Sequence, residues 1–217
     1  MGTILASAII TSVRRVLLDP SPGVTWVDAT LLSMINRAER LVVVEKHEAY
    51  PVRDTSLALV AGYVQTLPAT AVGMIQVYAN AVGQKRRISQ VNAEMQDAAS
   101  IYYPAATQEQ EVQHWTTDPR NPTQFEVFPP NDGTGEIDCA YGATPTAIGA
   151  TSGAINLNDM YEQVLIDIVC SFAYSEDTTR KDLTKTSYYM DRAMKLLGVS
   201  SQSQIAISAQ VGQKGPQ

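Results

Sequence analysis

Between Thr25 and Tyr50, Val27, Leu31, Met34, Ile35, Ala38, Leu41 and Val42, continued by Glu45, recur at three- and four-residue steps, while Ser33, Asn36, Arg37 and Arg40 fall on the other side. Side chains so spaced share one face of a helix, and the pattern predicts a long amphipathic helix around which the rest is organised. Thr25, three residues before Asp28, predicts a capping box at its start. Pro51 predicts its end, because proline lacks a donor and clashes with the preceding turn. Val43 and Val44 lie off the stripe and are candidates for contact with another subunit, unless a loop or the inserted strands cover them. Thr3 to Leu18 predicts a first helix with Ile4, Ala8, Val13 or Ser12, Val16 and Leu17 inside and Arg14 and Arg15 outside; Asp19-Pro20-Ser21-Pro22-Gly23 stops it. The connection is short, so the two helices are expected to be antiparallel neighbours.

After Pro51 the pattern becomes strand-like. Leu57 to Thr66, Met74 to Tyr78 and Arg86 to Val91 are short runs rich in Val, Ile, Tyr and Thr, separated by Pro68, Gly73 and Gly83. Asn92 to Ser100 reads as a short helix or helical turn. Val112 to Thr117 and Thr123 to Phe128 resume strand composition around the turn from Asp118 to Pro122. Glu136 to Tyr141 alternates, with Ile137, Cys139 and Tyr141 on one face. The Asp132-Gly133 pair within Pro129 to Gly135 predicts a hairpin. Gly142 to Gly153 is a connector low in charge and bulk, and helical spacing then returns. Tyr161, Val164, Leu165, Ile168, Phe172 and Ala173 form a wide stripe, with Asp159 placed to complement the helix dipole. A last helix runs through Leu183, Ser187, Met190, Met194 and Leu197, closed by Gly198. Ser200 to Gln217 is rich in Ser and Gln, with too little apolar surface to order itself, yet Ile205, Ile207 and Val211 suit docking on a partner. The expected fold is α+β: an antiparallel α-helical bundle of about four helices with an inserted antiparallel β lobe and an extended C-terminal tail. Residues 1–54 and 155–198 form the bundle, 55–142 the lobe, 143–154 a linker and 199–217 the tail.

Length and composition narrow the function. A chain of 217 residues can bury a sizeable core. Sixteen basic against 22 acidic residues, a formal charge of −6, argue against a protein whose main task is to hold phosphate backbones. Cys139 and Cys170 are far apart in apolar settings, which speaks against a disulfide framework and for a reducing compartment. The run from Ile4 to Thr11 has no basic residue before it and Arg14 and Arg15 after it, the reverse of a secretory leader. Ala6 stands where a myristoylation motif on Gly2 needs Ser or Thr. The uncharged span from Thr55 to Gln84 is broken by Gly62, Gln65, Pro68, Gln76 and Asn80, so no membrane helix is expected.

Candidate chemistry is sparse. His47 and His114 have no second histidine or cysteine at ligand spacing, so no metal or cofactor site is expected. His47 beside Glu48 suits a helix-end dipole partner, and His114 beside Trp115 suits packing. Phosphate-binding glycine loops and nucleophile elbows are absent, and Glu109 with Glu111 and Glu176 with Asp177 read as solvated faces. Lys85, Arg86 and Arg87 form the one basic cluster, read as a solvated strand end or a phosphate contact.

Taken in order, Val16-Leu17-Leu18-Asp19-Pro20, Thr25-Trp26 with Asp28, Leu31-Leu32, Ile35-Asn36 and Ala38-Glu39 resemble the opening of the head-to-tail adaptor proteins of tailed, short-tailed bacteriophages. Leu59, Ala61-Gly62, Gln65 and Leu67-Pro68 are similar to the first strand of that family. His114, Asp118, Asn121-Pro122 and Phe125 to Pro130 resemble its central hairpin, and Leu157, Asp159, Tyr161, Leu165 and Asp167 its return helix. The likeness spans nearly the whole chain, and its order and spacing carry the weight.

The resemblance implies a non-enzymatic structural protein of the virion, assembled in the host cytoplasm and sited at the head-tail junction. It would form a ring, usually of twelve subunits, beneath the portal, with a tail tube or nozzle protein below and double-stranded DNA passing through without sequence-specific binding. Ile205, Ile207 and Val211 become portal-contact candidates. Two other classes remain in view. A nucleic-acid-binding module of the packaging or ejection machinery requires Lys85 to Arg87 to join other bases in space, and a carboxylate-only cell-wall hydrolase requires a concave acidic site.

Overall fold

The computed structural model describes residues 2–20, 23, 25–91, 107–117, 120–176 and 179–198. The expected short helix at Asn92 to Ser100, Asp118 and Pro119 of the expected turn, Asp177, and the tail with Ile205, Ile207 and Val211 lie outside them. The chain has an α+β fold divided into two compact units, Met1–Glu45 with Pro145–Gln217, and Lys46–Thr144; the described residues form four α-helices and two small sheets.

The helical unit is built from α1 (Ala6–Leu17), α2 (Asp28–Glu45), α3 (Glu162–Ser175) and α4 (Leu183–Leu197). Its centre is α3, not α2. Every residue from Val164 to Ser171 is buried, as are Ala173 and Tyr174, and α3 packs against α1, α2 and α4. A helix apolar nearly all round belongs inside a bundle, whereas a striped one such as α2 lies at its surface. Leu31, Ile35, Leu165 and Ile168 are all fully buried, as the periodicity predicts.

Other positions shift. In α1 the buried stripe is Ala6, Ile9, Ile10, Val13, Arg14 and Leu17, so Ala8 is exposed and Arg14 is inside. Residues before Ala6 run as an extended segment, so Ile4 lies outside the helix, with the Ile155 amide donating to the Ile4 carbonyl and the Ala6 amide to that of Gly153. The helix expected from Thr25 to Tyr50 is also shorter. It begins at Asp28, leaving Val27 exposed, and ends at Glu45, six residues before Pro51; a single 3-10 turn, His47–Ala49, intervenes. No capping box forms, because the Thr25 amide donates to the Asp19 carboxylate instead. On α4 only Ala193 and Leu197 are buried, and Leu183 and Ser187 are exposed. Asp182 caps its start through the Thr184 and Lys185 amides, and Gly198, at φ 75°, closes its end as expected.

The second unit holds β1 (Pro51–Ala58), β2 (Gly62–Thr66), β3 (Ala71–Asn80), β4 (Ser89–Gln90), β5 (His114–Thr117), β6 (Gln124–Asn131) and β7 (Glu136–Ala143). One sheet has the order β1-β7-β3 and the other β2-β6-β5-β4, antiparallel except for the β4-β5 pair. Ile137, Cys139 and Tyr141 share one face of β7, as their alternation predicts, and join Val77, Trp115, Phe125 and Val127 in one core. The run Leu57 to Thr66 is two strands broken by a turn. Pro51 to Ser56, to which the sequence pattern assigns no element, is strand at the edge of its sheet.

The Asp132-Gly133 loop is not a hairpin. β6 and β7 belong to different sheets, and the loop carries the chain between them. Asn131, fully buried, organises this crossing: its amide group donates to the Glu109 and Gln110 carbonyls, and its oxygen accepts from the Gly133 and Gly135 amides. Asn80 and Gln65 act alike, Asn80 pairing with both backbone groups of Val112 and Gln65 with both of Val60.

Candidate assembly surfaces

Among the residues of the family resemblance, Asp19, Trp26, Asp28, Asn36 and Glu39 tie loops to helices. Arg14 donates to the Asp19 carbonyl at 3.1 Å, the Trp26 carbonyl at 2.8 Å and the Asp28 carboxylate at 2.6 Å, and its second partner carboxylate, Asp19, lies at 3.4 Å. Asp19 in turn accepts from the Thr25 and Trp26 amides. A buried guanidinium needs such a set of acceptors, and here they are supplied by one loop folded around it. Gly23 belongs to the same arrangement: at φ 71°, a Cβ there would lie 2.1 Å from an Arg14 nitrogen.

Asn36 and Glu39, on one side of α2, hold the connector that leads into α3. Asn36 exchanges two hydrogen bonds with the backbone of Ile148, and the Glu39 carboxylate accepts from the Asn156 amide and side chain, each at 2.7 Å. Val43 shares this side at helical spacing. It is fully buried, which corrects the expectation that it lies off the core, and it drops out as a subunit contact; Val44 is 56% exposed. Asp159 serves the N-terminus rather than a helix dipole, accepting from the Thr3 amide and hydroxyl and the Ile4 amide, and these bonds hold its carboxyl below the usual range. Buried Asp167 receives Arg192 through two nitrogens and Gln163 at 2.9 Å, joining α3 to α4. The Arg192 pKa is raised by the same contact.

The remaining sequence candidates are dispersed. Lys85, at φ 54°, Arg86 and Arg87 lie exposed on the tight connection leaving β3, and Arg86 sits 3.9 Å from the Glu111 carboxylate. His47 does not act as a helix-end partner: its imidazole and backbone lie across Gly73 and Gly142, where a Cβ would approach to 2.4 and 2.6 Å. His114 lies in β5 with its Nδ1 buried. Cys139 and Cys170 are buried free thiols, both pushed up to about 12 by burial, far from nucleophilic reactivity. Among the described residues, no group of three His, Cys, Asp or Glu side chains could hold a metal ion, and no helix is long and apolar enough to cross a membrane.

Arg14, Glu39, Asn131 and Asp167 thus all serve to fix this chain's own backbone and helices. Residues 5–212 match the family model of the SU10 adaptor protein, and the chain belongs to that family of phage head-to-tail adaptors. Membership implies a structural adaptor role, with binding to portal or tail components. No curated protein matches the chain.

Proposed function

We propose that this adaptor assembles into a ring, a dodecamer by family likeness, beneath the portal of the filled head, and offers its other end to a tail tube or nozzle protein. Genome retention and ejection then take place through its lumen, and the protein resides at the head-tail junction of the virion. The observation that carries this reading is the family match over residues 5–212. The charge of −6 agrees with a conduit, since a lining that bound phosphates tightly would hold the genome back. Lys85, Arg86 and Arg87, all exposed, are the candidates for transient phosphate contact. Exposed Val44 is the candidate left from the pair at the end of α2. Ile205, Ile207 and Val211 are the portal-contact residues in this reading, each contact weak alone and strong when repeated around a ring.

Sedimentation of the purified chain, alone and with portal protein, tests the proposal. Co-sedimentation with portal rings is expected. A chain truncated after Gly198 should keep wild-type thermal stability and be lost from the portal; retention equal to that of the full chain would remove the tail from the mechanism. A chain that binds neither itself nor the portal would overturn the whole reading.

A further inference from the structure

Two exposed patches on this chain are complementary in sign. On the outer side of α4, Lys185, Tyr188, Lys195 and Leu196 recur at helical spacing, with Tyr188 57% and Leu196 54% exposed. Residues 180–195 carry Arg180, Lys181, Lys185, Arg192 and Lys195 against Asp182 and Asp191, a basic segment in an acidic chain. Ala193 and Leu197 form the buried side of the helix, whereas Arg192 stands within the Lys185–Leu196 stripe, beside the Tyr188 ring and paired with Asp167 of α3, and Lys185 lies 3.5 Å from Asp182 and 4.9 Å from the Tyr174 ring.

The β unit has the converse. Lys46–Thr144 contains eleven acidic residues against six basic ones. At one corner the β1–β2 turn, the edge strand β2 and the loop between β6 and β7 meet: Gly62 pairs with Asn131, the Asp132 amide donates to the Glu109 carbonyl, and the Cβ position of Gly133 lies 3.5 Å from Ala61. Val60 there is 60% exposed and Tyr63 and Val64 each 38%, beside the exposed carboxylates Glu109 and Asp132. Thr134 holds Asp132 ionised by donating to it from its amide and hydroxyl, which lowers its pKa.

We propose that the outer face of α4 on one copy of this chain docks on the Val60–Val64 corner of the next copy, and that this contact closes the ring. An apolar centre with a charged rim is the make-up of a specific interface, and opposite rims select the partner and its register. The second copy is the fitting occupant because a head-to-tail ring requires two unlike, mutually complementary faces on the same chain, each used once per subunit. Both faces are present here in equal number and opposite sign. The inference rests on the ring reading above.

Charge reversal separates the two. Lys185→Glu with Lys195→Glu makes both patches acidic; Glu109→Lys with Asp132→Lys makes both basic. Each double variant alone should remain a folded monomer in sedimentation velocity, with portal protein present wherever the wild type needs it. Their equimolar mixture should recover rings in which the two variants alternate, because every junction then again joins opposite charges. Rings from either variant alone, or no rings from a mixture of two folded variants, would overturn the interface while leaving the wild-type ring intact. A variant that forms rings and is merely lost from the portal would also overturn it, assigning the face to the portal. A wild-type chain that never forms rings would overturn the ring reading itself. If a reversal unfolds the chain, Tyr188→Ser with Leu196→Ser serves instead: loss of rings with an unchanged melting temperature is expected, and unchanged assembly would count against the interface.

Discussion

The helical unit and the β unit solve the same problem with different side chains. Both must bury polar groups to hold segments with no regular partner. In the helical unit the buried polar residues are mostly charged: Arg14, Asp19, Glu39 and Asp167. In the β unit they are Gln65, Asn80, Asn131 and Thr116, all neutral. An amide carries a donor and an acceptor together, so Asn80 can pair with both backbone groups of Val112 as a strand would, and such mimicry suits a unit made of strands. The helical unit must instead secure helix ends and a connector, where several donors or several carbonyls converge on one point. A carboxylate accepting two amides, or a guanidinium reaching two carbonyls and a carboxylate, meets that need with fewer side chains and stronger bonds. The cost is exposure to error: losing one charged partner leaves the other buried alone.

Trp26 in the helical unit and Trp115 in the β unit are each 1% exposed, and single-tryptophan variants follow the two units separately. The largest effect is expected from Arg14→Met, which removes the cation beside the buried Asp19 carboxylate: about 3–5 kcal/mol in denaturant unfolding followed by Trp26. If the Trp115 transition moves equally, the units unfold as one and the contrast is one of chemistry alone. Core truncation should not distinguish the units, since Ile168→Ala and Ile137→Ala remove equally buried side chains and should each cost roughly 2–5 kcal/mol. A near-unchanged midpoint for either would refute its placement in a core. Asn131→Ala removes the amide that satisfies the crossing between sheets and should cost about 1–3 kcal/mol, with amide exchange accelerated at Gly133 and Gly135.

Acid should act on the N-terminal contact of the helical unit. The Asp159 carboxyl is held low by the Thr3 hydroxyl first, so its contribution is present above about pH 4, the unfolded carboxylate value, and is lost as pH falls through the lower folded value. Asp159→Asn should flatten that limb of the stability profile, and an unchanged limb would assign it to other carboxylates. The smallest effect is expected from Asp138→Asn in the β unit. Its partner Arg53 is 61% exposed, and solvent-screened pairs contribute little, so the unfolding midpoint should hardly move.

Much of the architecture was legible from local pattern. The period of Leu31, Ile35, Leu165 and Ile168 identified buried helical faces, the alternation of Ile137, Cys139 and Tyr141 a core strand, and Gly198 a helix end. Each of these signals is carried by neighbours within a turn or a strand. The misread positions are different in kind. Sequence pattern puts Arg14 outside because a lone arginine on a helix is ordinarily solvated; only the loop that returns Asp19, Trp26 and Asp28 to it makes burial favourable. Val43 falls off the stripe that periodicity defines, and it is buried on the side where Asn36 and Glu39 hold a connector more than a hundred residues away in sequence.

Sequence alone determined the order of helical and strand-like segments, where most of the apolar core lies, and the family, because periodicity and motif order survive without coordinates. The tertiary structure decided which helix is central, how the strands divide between two sheets, which charges are buried, and where the basic and acidic faces stand exposed. Those outcomes depend on free energies of pairing between distant segments, and a polar group is stable inside only when its partner has been brought to it.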